Sequence, residues 1–124
     1  MIALDTSSII AFLGGERGSD VDSVESALVS RQAVLPPVVV TELLSDRAAG
    51  TQIAPLVSQI QQLEILEGYW ERAGGLRASI LRRGLKAALA DTLIVQSCLD
   101  HDVALVTRDR DFRNLARHTG LRLE

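Results

Sequence analysis

Cysteine occurs once, at Cys98, so no internal disulfide can form, and no Cys-x-x-Cys or Cys/His spacing is present to hold zinc. Cys98 itself falls on an apolar helical stretch and is expected buried and inert. Aromatic residues make up 3% of the chain. With so few, Tyr69 and Trp70 are expected in the core or at a dimer interface rather than stacked on a base. Lysine also occurs once, at Lys86, before a helix. A phosphoacceptor receiver domain, another small doubly wound sheet with clustered acids, needs a lysine after a late strand, so that reading is poor. No apolar run approaches the eighteen or so residues that span a membrane. The first residues lack a basic segment, and Asp5 interrupts what would be a signal-peptide core. A cytoplasmic protein with no membrane association is the expectation.

What is present fits one domain over residues 1–124. Hydrophobic residues make up 47% and charged residues 23%, which suits a folded core and argues against disorder. The net charge of −3 is unevenly spread. Residues 1–62 carry three Lys/Arg against seven Asp/Glu, whereas 72–86 carry five basic residues and no acid. A local basic face can therefore exist on an acidic protein.

Hydrophobic spacing alternates between the two periods. Ile2–Leu4 reads as a strand, TSSIIAFLG as a helix that Thr6 or Ser7 can cap, and VDSVESALVS as a second helix. AVLP is a strand stopped by Pro36 and Pro37; VVVTELLSDRAAG is a helix ending at Gly50, and QIAPLVSQIQQL another. LEIL is a third strand candidate. Helices YWERAGGLRASILRRG and ALADTLIVQSCLDH, strand VALVT, helix RDFRNLARHTG and a last LRL complete the chain. Such alternation implies crossover connections and an α/β/α fold in three layers around a mainly parallel sheet of about five strands. Ligands of such sheets bind beyond the carboxyl ends of the strands, where strand order reverses.

Asp5 ends the strand IAL, and Asp109 follows VALVT by two residues, so both emerge from one edge of the sheet. Glu42 sits between VVV and LL, and Asp91 opens an apolar helix. Each has a plain alternative. Asp5, Asp91 and Asp109 could be helix caps worth about 1 kcal/mol, and Glu42 a half-exposed helical residue. Together they are harder to dismiss, because like charges converging in a crevice must take up protons or find a cation. Arg108 and Arg110 flank Asp109 but are free to point outward. Hard oxygen donors without His or Cys favour Mg²⁺ or Mn²⁺, which suits phosphodiester hydrolysis.

IALDTSSIIAFL, VVVTELL, LADTLIVQSCLDH and ALVTRDRDF occur in an order and at spacings that resemble PIN-domain ribonucleases, most closely the short free-standing VapC toxins of toxin–antitoxin pairs. The resemblance implies that Asp5, Glu42, Asp91 and Asp109 are the catalytic, metal-holding acids. Thr6 or Ser7 and Thr107 then support them, and Asp111 contests the last position with Asp109. It further implies an RNA substrate, a VapB-type antitoxin that silences the enzyme, a homodimer and inhibition of translation. One departure is RRGLKAALAD, which lacks the proline often found before the third acid, so the helix carrying Asp91 is expected to start earlier.

Arg77, Arg82, Arg83, Lys86, Arg108 and Arg110 are the candidates for contacting an RNA backbone. Helical geometry puts Arg72 and Arg83 within about 20° of each other and Arg82 about 80–100° from both, so only part of the run shares a face. His101 and His118 are expected at helix ends, exposed or facing the helix dipole. The remaining alternative is a catalytically silent PIN-like binding module.

Overall fold

The structure, a computed structural model, describes residues 1–48 and 50–124. Three short strands, β1 (Ile2–Leu4), β2 (Ala33–Leu35) and β4 (Ala104–Val106), and a two-residue edge strand, β3 (Gln61–Gln62), form a parallel sheet in the order β3-β2-β1-β4. Helices α1 (Thr6–Leu13) and α2 (Ser19–Val29) connect β1 to β2. Between β2 and β3 run α3 (Pro37–Ser45), a 3-10 turn (Gly50–Gln52) and α4 (Ile53–Gln59). The helices α5 (Tyr69–Arg82) and α6 (Leu89–His101) lead to β4, and α7 (Asp111–Arg117) follows it.

Consecutive residues in β1, β2 and β4 are buried, as in Ala3–Leu4, Val34–Leu35 and Leu105–Val106. Neighbouring strand residues point to opposite faces, so both faces are covered and the three-layer α/β expectation holds. The aliphatic strands pack in one core with Ile9, Val39, Leu43, Ile80, Ile94, Val95 and Phe112 from the helices. Cys98 is buried in it, and burial pushes its thiol up to about 12. Tyr69 is buried and donates its hydroxyl to the Leu93 carbonyl at 2.8 Å, while Trp70 is exposed.

The element order follows the hydrophobic periods, with corrections at the edges. LEIL is not a strand: β3 lies two residues earlier, at Gln61–Gln62, with both side chains exposed. The Leu63 N–H still pairs with the Leu35 carbonyl at 2.9 Å, then the chain leaves the sheet with Ile65 and Leu66 exposed. An edge strand wetted on its side chains carries no hydrophobic signature, so the apolar run beside it drew the assignment. The sheet has four strands among the described residues, not five. LRL contributes only a parallel bridge from Leu123 to Leu105, closed by Leu105 N–H to Arg122 O and Glu124 N–H to Leu105 O, each 2.9 Å. Helix α3 ends at Ser45, where Asp46 turns to extended backbone. The expected continuation to Gly50 crosses Ala49, which lies outside the described residues. No helix among the described residues is long and apolar enough to cross a membrane.

Candidate functional site

The order β3-β2-β1-β4 means that the chain moves outward on one side of β1 through β2 and β3 and returns to its other side at β4. The switch point is thus the gap between the carboxyl ends of β1 and β4. Register sets what meets there. Leu4 pairs with Val106, and the Asp5 N–H still bonds the Val106 carbonyl at 2.9 Å, so Asp5 and Thr107 are level as the strands end.

Asp5 occupies the cap position of α1, yet its carboxylate makes no bond to a helix N–H. It is buried, and its Oδ2 accepts the hydroxyls of Ser7 and Thr107, each at 2.7 Å. Both bonds fall on one oxygen, which leaves Oδ1 uncommitted to the described residues. Glu42 is half-buried on α3, and its Oε1 accepts the Thr6 hydroxyl at 2.8 Å. Asp5 therefore draws on Ser7 and Thr107, and Glu42 on Thr6. Asp91 is the third residue of α6 rather than its cap, which belongs to Ala88. Without the proline, the helix starts two residues ahead of the acid, and the carboxylate still lies in the crevice. Asp109 is not the cap of α7 either, a place that Arg110 takes; it lies one residue before it, where its Oδ1 accepts the Asp111 N–H at 2.9 Å and its own N–H bonds Thr107 Oγ1 at 3.0 Å.

Asp5, Glu42, Asp91 and Asp109 line one crevice of about 310 Å³, together with Thr6 and Ser7. Asp91, Asp109 and Asp111 each offer an oxygen within 4.8 Å of the others. Asp111 thus stands beside Asp109 rather than in place of it. Two further acids, Glu16 and Asp46, line the same crevice and were not singled out from sequence. Asp46 follows Glu42 by four residues, the spacing that places side chains on one helix face, so that signal was available. Glu16 lies in the loop after α1 and carries no such mark.

The electrostatics follow from this crowding. Burial pushes the Asp91 carboxyl up from 3.8 to about 6, and the neighbouring charges of Asp109, Asp5, Asp111 and Glu42 add to it. Among the described residues one ion pair reaches the crevice, Arg108 with Glu16 at its edge, and the others, Arg108 with Asp20, Arg72 with Asp100 and Arg122 with Asp102, lie outside it. None neutralises the cluster. Oxygen-only donors, no internal counter-charge and one acid held towards its neutral form are the conditions under which a hard divalent cation is favoured.

Arg108 does not point outward as a free phosphate contact. Its guanidinium spans Asp20 at 2.8 Å and Glu16 at 3.1 Å, and also bonds the Arg17 carbonyl at 3.1 Å. This pairing holds the Asp20 carboxyl down at about 2. The sequence separates Arg108 from Asp20 by 88 positions, and no local pattern announces the contact. Among the other basic candidates, Arg77 Nε bonds the Ala87 carbonyl at 2.8 Å, and Arg82 Nε turns back to Ala78 O at 3.3 Å. Arg83 Nη1 stands 3.4 Å from His118 Nδ1, while His101 Nε2 lies 2.8 Å from the Glu64 carbonyl. Lys86 and Arg110 are exposed, and their side chains have no hydrogen-bond partner among the described residues.

Residues 2–118 match the family model of the PIN domain. The chain belongs to the PIN-domain family. Solved structures agree on the fold. VapBC2 from Rickettsia felis, bound to a DNA fragment from its promoter, is 20% identical with a TM-score of 0.75, covering 100% of this chain and 98% of that one. VapBC-1 from nontypeable Haemophilus influenzae gives 20% identity and 0.72, covering 100% and 97%. FitAcB from Neisseria gonorrhoeae gives 22% and 0.69, covering 99% and 96%. No curated protein matches the sequence. As a PIN domain, the chain has a nuclease fold whose acidic crevice sits at the expected switch point.

Proposed function

We propose that this PIN domain is a divalent-metal-dependent endoribonuclease, the toxin of a VapBC-type pair, acting in the cytoplasm on RNA needed for translation. The observation that carries the reading is the convergence of Asp5, Glu42, Asp91 and Asp109 on one crevice, with no Lys, Arg or His in an ion pair with them among the described residues. These four would hold Mg²⁺ or Mn²⁺, with Asp111 near enough to share the place of Asp109. When bound, the ion supplies a Lewis acid that acidifies water and offsets charge building on the phosphate. The protein's own part is positioning. Ser7 and Thr107 fix Asp5, and Thr6 fixes Glu42. Thr107 also accepts the Asp109 N–H, so one hydroxyl couples two strand-end acids.

Lys86 and Arg110, the two uncommitted cations among the candidates, supply attraction for the phosphate backbone that the acids cannot. A VapB-type antitoxin and a second copy of the chain are the expected protein partners. Exposed Leu44, Trp70 and Leu89 provide apolar surface for such association to bury.

The test is cleavage of a panel of structured RNAs by wild type and Asp5→Asn, purified identically, with Mg²⁺, with Mn²⁺ and with EDTA. Wild type is expected to cut only with metal, and Asp5→Asn to lose at least about a hundredfold in rate. Equal behaviour of the two proteins would instead favour a silent binding module.

A further inference from the structure

Two grooves flank the acidic crevice, one sharing Asp91 with it and the other sharing Asp109. They differ chiefly in floor. The groove on the Asp109 side is edged by Asp20 and Glu124, and the Arg108 on its wall is already paired with Asp20 and Glu16. Its second arginine, Arg113, is exposed, and nearly all of its lining residues are polar. The groove on the Asp91 side, about 350 Å³, runs from the α5–α6 loop to α7 and reaches both Asp91 and Asp111. Its floor is aliphatic, with the buried Ile80 and Leu115, and its rim carries exposed Lys86, Asn114 and His118.

Local structure shapes that groove. Beyond the end of helix α5, Gly84 stands at φ +77°, the Gly84 N–H returns to Leu81 O and the Leu85 N–H to Ile80 O, so the chain doubles back and puts Lys86 on the rim of the groove that Asp91 also lines. Arg83, just past α5, and His118, just past α7, meet across the groove with Nη1 and Nδ1 3.4 Å apart. A cavity of this size is at the small end of those that hold a small molecule, and it combines an apolar floor with a few polar groups on the rim.

We propose that this groove seats one nucleobase of the RNA strand, the one adjacent to the phosphate cut at the acids. The proposal rests on the ribonuclease reading for its neighbour and deepens it by naming where base preference arises. The base lays its face on Ile80 and Leu115. Asn114, whose amide both donates and accepts, reads its edge, and Lys86 meets the phosphate that follows. The groove on the far side, polar in nearly all of its lining, has no such floor for a base and holds the strand on that flank by its backbone, through Arg113, so preference is confined to one side of the cut.

The experiment uses labelled single-stranded RNA hexamers, intact or abasic at one position in turn, titrated by fluorescence anisotropy against full-length Asp5→Asn with Mg²⁺. Asparagine keeps an acceptor for Ser7 and Thr107, so the fold is retained. One abasic position is expected to weaken binding about tenfold. Adding Asn114→Ala should shrink that penalty below about threefold, because both changes remove the same contact. Lys86→Ala should weaken every hexamer alike. Wild type cutting the intact hexamer should cut next to the costly position. A penalty spread evenly along the strand, or one unchanged by Asn114→Ala, overturns the subsite whether or not cleavage occurs. A localised penalty removed by Asn114→Ala, in a protein that never cuts, upholds the subsite and overturns the nuclease reading instead.

Discussion

Asp91→Asn should make the metal-free protein more stable at neutral pH while removing its activity. The Asp91 carboxyl is raised from 3.8 to about 6, mainly by burial and then by the surrounding acids. A group whose folded pKa lies above its unfolded value favours folding fully below the unfolded value and loses that contribution as pH rises through the folded one. Here the loss runs between about pH 4 and 6. The whole shift corresponds to about 3 kcal/mol at 1.36 kcal/mol per unit, and water reaching a half-buried group screens it to about 1.5 kcal/mol. The substituted amide would carry no charge and forfeit no hydrogen bond to the described residues, so the variant recovers that amount. For a domain of this size the gain is about 5 °C in Tm. The assay is thermal unfolding of wild type and variant in EDTA from pH 4 to pH 8. The variant's advantage should be largest above pH 7 and fade towards pH 4. Millimolar Mg²⁺ should raise the wild-type Tm more than the variant's. A variant no more stable than wild type at pH 7.5, or an advantage independent of pH, would refute the claim that burial among other acids strains the Asp91 carboxylate.

Thr107→Val removes the hydroxyl that bridges Asp5 and the Asp109 N–H, and should cost about 1–2 kcal/mol in urea unfolding and weaken metal-dependent cleavage; retention of both would show the bridge to be dispensable. For Asp20, whose carboxyl Arg108 holds down at about 2, the folded value lies below the unfolded 3.8. Its contribution is complete above about pH 4 and is lost as pH falls towards 2, so Asp20→Asn should flatten the acid limb of the stability curve, read by circular dichroism. Phe112→Ala, at a side chain 1% exposed on α7, should cost about 3–5 kcal/mol in denaturant unfolding, and a loss under 1 kcal/mol would contradict its place in the core.

The buried strands β1, β2 and β4 were legible because each is an apolar run closed by a polar or proline residue, and the acids at the ends of β1 and β4 follow from the parallel sheet those runs imply. Glu42 was legible only through its motif. Its neighbours Val39 and Leu43 are fully buried while it is half-buried, a facing that VVVTELL does not reveal when all but Thr41 of the residues around it are apolar. The polar edge strand escaped because pattern reading detects burial, and Gln61 and Gln62 are not buried. Arg108 escaped for a different reason. Its loop neighbours say nothing about an ion pair whose partners come from the far side of the switch point, delivered by α1 and α2.

Concentrating acids at the switch point places an unfavourable charge density where the sheet is best able to hold it. The Asp5 N–H remains in the sheet's hydrogen-bond ladder through Val106, and Thr107 joins the two strand ends by side chain as the ladder stops. Asp91 rides on α6, whose Ile94, Val95 and Cys98 are anchored in the core. Separation of the acids would therefore require breaking strand pairing or extracting aliphatic side chains, each dearer than the repulsion it would relieve. Charge that is buried and crowded in this way is offset by a proton, as at Asp91, whose carboxyl burial and then the neighbouring acids raise to about 6, or by a cation. Above that pH Asp91 is charged as well, and a cation is then the remaining way to offset the crowding, which is the ground for the proposed divalent ion.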